Sequence, residues 1–360
     1  MDYKSYFDIP DNITYLNTPG NGLMPRAHHA WRRAWERDFF DVAGDVRDQQ
    51  PAFIAHVKRE FSSLFNCSTE QVYLTPNFSF AMHTLLDGLP SRLKYAILEE
   101  DYPSLNFPVI SRQLDYVKIQ VDQQVEEHIQ HTIRNQHIDV LLLSVVQYIN
   151  GLIIDLNFIK KLKAEFPDLI IIGDATQYLG TEPLNFKDSG FDAIGGSGYK
   201  WMMAGFGNGY MMVSDQLQAI LYQKAQAGPR PHEAMWSSKS ILDTFFEPGH
   251  QDTLSHGTLL QSISFMQTHA LGPIQAYLSE LRAYAYGRFD ERGWLLPEIR
   301  SRNVRSSLVN LQIDPKNYDL LLANGIKCFP RGTGIRIGLH VYNTQQDVDK
   351  LIEVIEKINR

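Results

Sequence analysis

The chain has little that would tie it to a membrane, a nucleic acid or an oxidising compartment. Only two of its 360 residues are cysteine, Cys67 and Cys328, so no disulfide framework can be read and a reducing cytoplasm is the expected location. No apolar run approaches the roughly 20 residues that span a bilayer. Met1-Asp-Tyr-Lys-Ser-Tyr6 lacks the basic start and apolar middle of a signal peptide. A formal net charge of -7 comes without a basic stripe, which argues against a nucleic-acid partner. Gly-x-Ser-x-Gly and the phosphate loop Gly-x-x-x-x-Gly-Lys-Ser/Thr are missing. So is any third ligand beside His128 and His131, or beside His28 and His29; no metal is expected, and these pairs read as solvated helix faces. There is no internal repeat, low-complexity segment or disordered linker.

What is present is an ordinary globular content of 44% apolar residues in short runs bounded by turn residues. Gln71–Leu74, Tyr95–Leu98, Val140–Ser144, Leu169–Ile172 and Gly209–Val213 are strand-length and separated by helix-length segments. That rhythm reads as an α/β protein with a parallel-rich sheet covered by helices. After about Phe265 the texture changes to one long helical stretch through Arg288, a strand-like Val304–Ile313, a helix over Tyr318–Ala323, strands over Ile326–Phe329 and Gly334–Gly338, and a closing helix over Thr344–Ile358. The last carries Val348, Leu351, Ile352, Val354, Ile355 and Ile358 at a helical period. This part reads as a smaller α+β domain.

Ligands of open α/β sheets gather beyond the carboxyl ends of the strands, where Asp174 and Lys200 both fall. Lys200 sits among Tyr199, Trp201, Met202 and Met203 rather than on a polar helix face. Desolvation there would lower its pKa toward a nucleophilic amine able to form a Schiff base. Asp174 supports two readings that can hold together. With Gln177 it makes an Asp-x-x-Gln capping box for a following helix; alternatively it is a buried carboxylate that keeps a ring nitrogen protonated while Gln177 bonds a neighbouring ring oxygen. Gly195, Gly196 and Gly198 allow close backbone approach to a ligand or form a plain turn, and Ser197 offers a hydroxyl to a phosphate. Gly205-Phe-Gly-Asn-Gly209 imitates a dinucleotide fingerprint without its spacing or acidic partner, and reads as a turn.

Three segments in order, Asp174-Ala-Thr-Gln177, Ser197-Gly-Tyr-Lys-Trp201 and Arg336-Ile-Gly-Leu-His-Val-Tyr-Asn-Thr344, resemble the class V aminotransferase group of fold-type I pyridoxal 5′-phosphate enzymes. That group includes cysteine desulfurases, kynureninases and isopenicillin N epimerase-like proteins. The resemblance implies a large domain over 23–264 with a mostly parallel seven-stranded sheet, a smaller C-terminal domain over 265–360, and an N-terminal segment over 1–22 packing on the small domain and the active site. It implies pyridoxal 5′-phosphate as cofactor, Lys200 as its Schiff-base lysine and proton shuttle, Asp174 at the ring nitrogen and Gln177 at the ring oxygen. Tyr102 falls where an aromatic ring covers the cofactor, against the plainer reading of a packed turn tyrosine. The Phe78 N–H, Ser79 and Ser197 become phosphate contacts, although Ser79 also fits an ordinary helix cap. Arg336 resembles the arginine that grips a substrate carboxylate, with Asn17 and Tyr148 near the substrate. Relatives are homodimers that complete each site with a partner loop, so His250 is placed at the partner's phosphate, against the reading of a surface loop histidine.

The chain also departs from the group. No histidine directly precedes Lys200, Tyr148 stands where many relatives present asparagine, and Gly249-His250 stands where many have Gly-Thr. Cys328 lies in an apolar strand without the histidine-rich loop of desulfurases, so it reads as a structural thiol, as does Cys67. Transamination of an amino acid or related amine is the first expectation. A β-lyase of selenocysteine lyase or desulfurase type, or an epimerase, is the alternative. Outside the group, a nicotinamide-dependent oxidoreductase would rest on Gly205–Gly209 alone, and a non-catalytic relic that keeps the fold stays open.

Overall fold

Apolar runs too short for helices pair into one central sheet. The computed structural model describes residues 2–41, 45–233, 236–237 and 239–358. The strands are β1 (Val72–Thr75), β2 (Lys94–Leu98), β3 (Asp115–Ile119), β4 (Val140–Ser144), β5 (Ile170–Asp174), β6 (Ala193–Ser197) and β7 (Gly209–Val213). Their spatial order is β1-β7-β6-β5-β4-β2-β3. β7 is antiparallel to both neighbours and every other pair is parallel, which is the mostly parallel seven-stranded sheet that was expected.

Both faces are covered, so alternate residues of one strand enter different cores. Leu141 and Leu143 join the cluster that contains Val57, Phe61, Ile129, Ile159 and Leu259. Val140 and Leu142 join Met82, Leu85, Leu105, Val109 and Phe246 on the other side. Each such side chain contributes about 1.5–3 kcal/mol of burial.

Two strands were not read from the sequence. β3 is an edge strand in which only Ile119 is buried, so it lacks the apolar run that marks its neighbours. β6 carries Gly195 and Gly196 in extended backbone, so they do not form the plain turn that was one of their two readings. A methyl group on Gly196 would stand 2.7 Å from the Tyr210 hydroxyl oxygen, so these glycines make room for a cross-strand tyrosine.

The helical stretch expected from Phe265 to Arg288 is two helices, Thr253–His269 and Leu271–Asp290. They break at Ala270, whose φ of 55° no helix accommodates. Of Val304–Ile313 only β8 (Leu308–Leu311) is strand. It joins β9 (Phe329–Arg331) and β10 (Gly334–Gly338) in an antiparallel sheet of order β9-β10-β8, and the Gln345–Ile358 helix packs its apolar stripe behind it. Thr14–Tyr15 pairs in parallel with Ile326–Lys327, which ties the N-terminal segment to this part of the chain. Among the described residues no helix is long and apolar enough to cross a membrane.

Not every histidine faces water. His131 is exposed, and His128 meets the Asp122 carboxylate at 3.1 Å. His28, expected on a solvated face, is buried with Nδ1 3.4 Å from the Met203 carbonyl. His256 is also buried, and its Nδ1 has no hydrogen-bond partner among the described residues. Burial lowers its pKa from 6.5 to about 4, against the attraction of Asp252. A depressed histidine costs nothing above its unfolded value, and stability is lost as pH falls because the unfolded chain takes up the proton first. We therefore expect His256→Leu to gain stability over the native chain progressively between about pH 6.5 and about pH 4. Urea midpoints recorded across that window check it; a constant difference would contradict it.

Candidate active site

β1, β2, β4, β5 and β6 point the same way, and the segments leaving their carboxyl ends converge on one cavity. Its volume is about 430 Å³, and its walls include Phe78, Ser79, Tyr102, Tyr148, Asp174, Gln177, Ser197 and Lys200. That size falls in the range of roughly 300–1,000 Å³ usual for small-molecule sites. Eight residues singled out from the sequence thus meet in one place.

Lys200 leaves β6 through a tight turn in which the Met203 N–H bonds the Lys200 carbonyl at 3.0 Å and Met203 takes a φ of 58°. Strained backbone of this kind persists only where packing holds it. The side chain is 5% exposed, with Nζ 5.3 Å from the Tyr102 ring centre and 5.4 Å from that of Tyr199. Desolvation lowers the amine's pKa to about 8; Asp174 pulls upward, and the charges of Arg336 and Arg331 push further down. Asp174 is pushed the opposite way, from 3.8 to about 6, by its own desolvation, against hydrogen bonds from Thr176 and the Lys200 charge. Burial is the larger influence on both groups. The result is an amine that sheds its proton readily beside an acid with few partners.

The capping box expected at Asp174 does not form, because turns rather than a helix follow β5. Asp174 instead accepts from the Thr176 N–H at 2.8 Å. Gln177 is held elsewhere: its oxygen accepts from Trp201 Nε1 at 2.6 Å and its nitrogen donates to the Pro19 carbonyl at 3.1 Å. An amide nitrogen has two hydrogens, so one remains for a ligand. Trp201 stacks on His340 at 5.5 Å, and the Val341 N–H bonds His340 Nδ1, leaving Nε2 to donate to the Trp201 carbonyl at 2.9 Å. The N-terminal segment closes over this layer. The Gly22 N–H bonds the Tyr199 carbonyl at 2.8 Å, and any side chain on Gly22 would strike the Lys200 carbonyl.

At the other end of the cavity the Phe78–Gly88 helix begins, capped by Asn77, whose side chain accepts from the Phe80 N–H. Ser79 is therefore not the cap. Its hydroxyl meets that of Ser104 at 2.6 Å, and the Phe78 N–H donates to the Ser197 hydroxyl at 3.0 Å. Three hydroxyls beside the positive end of an 11-residue helix form an anion-binding corner. Asn208 Oδ1, buried without a hydrogen-bond partner among the described residues, lies on the same wall. A carboxylate at one end, an amine, a flanking aromatic ring and an anion corner together fit pyridoxal 5′-phosphate.

Other residues lie outside this group. Arg336 is buried on β10 and donates to the Tyr148 carbonyl at 2.7 Å. Asn17 is half-buried in the N-terminal strap, and its Oδ1 has no hydrogen-bond partner among the described residues. His250 is exposed and does not line the cavity, and its Nδ1 lies 3.1 Å from Gln50 Oε1. It borders a surface groove with Trp35, Phe39 and Phe40. Residues 205–208 form the bend entering β7, as read from the sequence. Cys328 is buried and its thiol is pushed up to about 12, as is that of Cys67.

Sequence reasoning overlooked Asp101 and Thr176. Asp101 accepts from the Ser144 N–H at 2.8 Å, the Ser144 hydroxyl at 2.6 Å and the Tyr102 N–H at 2.7 Å, fixing the backbone under Tyr102. Thr176 accepts from the Ser197 N–H at 3.2 Å and so couples the two motifs. Both stand at strand ends beside residues that were singled out, which was the available signal.

A sequence model of class V aminotransferases matches residues 110–351. The uncharacterized aminotransferase YcbU of Bacillus subtilis (strain 168) is 22% identical over 314 residues, 83% of this chain and 82% of that one. The structure of a cysteine desulfurase from Thermococcus onnurineus NA1 superimposes with a TM-score of 0.83 at 16% identity, covering 99% of this chain and 97% of the other. That of the cystine C-S lyase C-DES gives 0.83 at 14% identity, with 96% and 98% covered.

Proposed function

Since the chain belongs to the class V aminotransferase family of pyridoxal 5′-phosphate enzymes, we propose that it transaminates an amino acid or related amine, with Lys200 as both the cofactor's attachment point and the proton carrier. The observation that carries this is the buried Lys200 amine, lowered to about 8, facing the buried Asp174 carboxylate. When bound, the cofactor supplies an aldehyde for amines and an electron-withdrawing ring that accepts negative charge from the substrate α-carbon.

The chain's own residues do the rest. With the cofactor bound, Asp174 would hold a proton on the ring nitrogen, the spare Gln177 hydrogen would address the ring oxygen, and Tyr102 would lie against the ring. Ser79 and Ser197 would take the phosphate, and the Phe78 N–H, which donates to the Ser197 hydroxyl at 3.0 Å, would exchange that bond for one to the phosphate. Lys200, with its amine free, would accept and return a proton at a pH where a normal lysine would stay charged. Arg336, on β10 and bonded to the carbonyl of the cavity residue Tyr148, would take the substrate carboxylate, with the Asn17 strap beside it. Cys328 is too buried and too weakly acidic to serve as a persulfide carrier, which favours transfer over desulfuration.

We also infer a homodimer in which His250 reaches the phosphate of the second copy. Phe39 is 52% and Phe40 78% exposed beside His250, an apolar face that association would cover. The two unpaired thiols suit a cytoplasmic location.

A panel of amino acids, scored for ketoacid, ammonia, sulfide and selenide, tests the reaction type. Stoichiometric ketoacid with transfer of the amino group supports transamination; sulfide or selenide release without it makes the protein a β-lyase, and loss of optical activity alone an epimerase. Arg336→Ala should raise the KM for carboxylate substrates by about 10- to 100-fold and leave the visible cofactor band in place. An unchanged KM would remove Arg336 from the site.

A further inference from the structure

Arg331, at the end of β9, has no role in the reading above. β9 and β10 pair with Arg331 opposite Gly334 and Phe329 opposite Arg336. Cross-strand partners share a face of the sheet, so Arg331 and Arg336 project on the same side as diagonal neighbours, roughly 7–8 Å apart at the backbone. Gly334 places no side chain between them. Both reach Tyr148, a wall of the cavity: Arg336 through the carbonyl at 2.7 Å, and Arg331 with its guanidinium 5.8 Å from the ring centre. Asn310 holds the position of Arg331 by donating to its carbonyl at 2.8 Å and to that of Ile149 at 2.8 Å.

Two cations this close need an anion. Among the described residues no carboxylate lies within ion-pair distance of either, and the Nε of each is buried without a partner. Leaving such donors unsatisfied is costly. Their mutual repulsion adds to burial in bringing Arg336 down to about 10. One guanidinium fork matches one carboxylate, so an amino acid with a single carboxylate would leave the second fork empty.

We propose that the substrate is an acidic α-amino acid, its α-carboxylate held by Arg336 and its side-chain carboxylate by Arg331. This rests on the reading of Arg336 as the α-carboxylate site. Titration calorimetry of cofactor-free protein with succinate, glutarate and butyrate tests it without relying on turnover. At least one dicarboxylate should bind about 10- to 100-fold tighter than butyrate, and Arg331→Gln should abolish that preference. The idea is overturned if the native chain binds butyrate as tightly as both dicarboxylates, a comparison that needs no variant, or if Arg331→Gln keeps the preference. In the loaded enzyme, aspartate or glutamate should exceed alanine in kcat/KM, and the reverse order would also overturn it. A failure here with the cofactor still attached to Lys200 leaves the proposed function standing; attachment elsewhere sinks that function but not the two-arginine site.

Discussion

Lys200→Ala is expected to lower turnover by roughly 10³-fold or more, because one substitution removes both the attachment amine and the proton carrier. Among the described residues no other lysine lines the cavity, so none of its neighbours there takes over. The anion corner at Phe78, Ser79 and Ser197 and the carboxylate of Asp174 are untouched, and the variant should still bind cofactor, now without a covalent link. Small primary amines added to the buffer should restore part of the rate by entering the space left by the side chain. Stability should change little in the cofactor-free state, since removing a desolvated amine offsets the lost packing. A variant that keeps near-native turnover would mean that the amine is structural.

Asp174→Asn should cost about 10²- to 10³-fold in kcat, the scale seen when a buried group aligned with developing charge is lost. The exchange is close to isosteric, and the amide oxygen can still accept from the Thr176 N–H. Only the charge goes. Asp174 raises the proton affinity of Lys200, so the acidic limb of the pH–rate profile should also move to lower pH. Stability carries the opposite sign. A carboxylate raised from 3.8 to about 6 by burial contributes stability only while protonated; that contribution is complete below about 3.8 and is lost as pH rises through about 6. Cofactor-free Asp174→Asn should therefore be more stable than the native chain near pH 8, with the gain gone by pH 4. Lower activity with higher stability marks a residue kept for function. Thermal midpoints at the two pH values, with kcat at both, give the answer, and a destabilised variant at pH 8 would count against this electrostatic role.

Much of this was legible because burial writes itself into composition. Val140–Ser144 and Gly209–Val213 appear as strands at the bounds read from the sequence, since sheets covered on both faces need unbroken apolar runs. Asp174 and Lys200 stood out as polar groups placed just beyond such runs, and Tyr102 through the resemblance to the family. What escaped depends on contacts between distant segments. Asp115–Ile119 is strand because β2 pairs with it, not because its own residues are apolar. The glycines of β6 looked like a turn until Tyr210 is seen packing across them. Asp174 and Gln177 have the spacing of a capping box, but Trp201 and Pro19 claim the glutamine from elsewhere in the chain. Arg331 was invisible for the same reason: only the register of β9 against β10 puts it beside Arg336.

Borohydride reduction of the cofactor-loaded protein, followed by proteolysis and mass mapping of the phosphopyridoxyl label, bears most directly on the central claim. The label is expected on Lys200 alone, in the peptide containing Gly198-Tyr-Lys-Trp201, with loss of the visible band in proportion to labelling. A label on another lysine, or none in protein that retains cofactor, would contradict it.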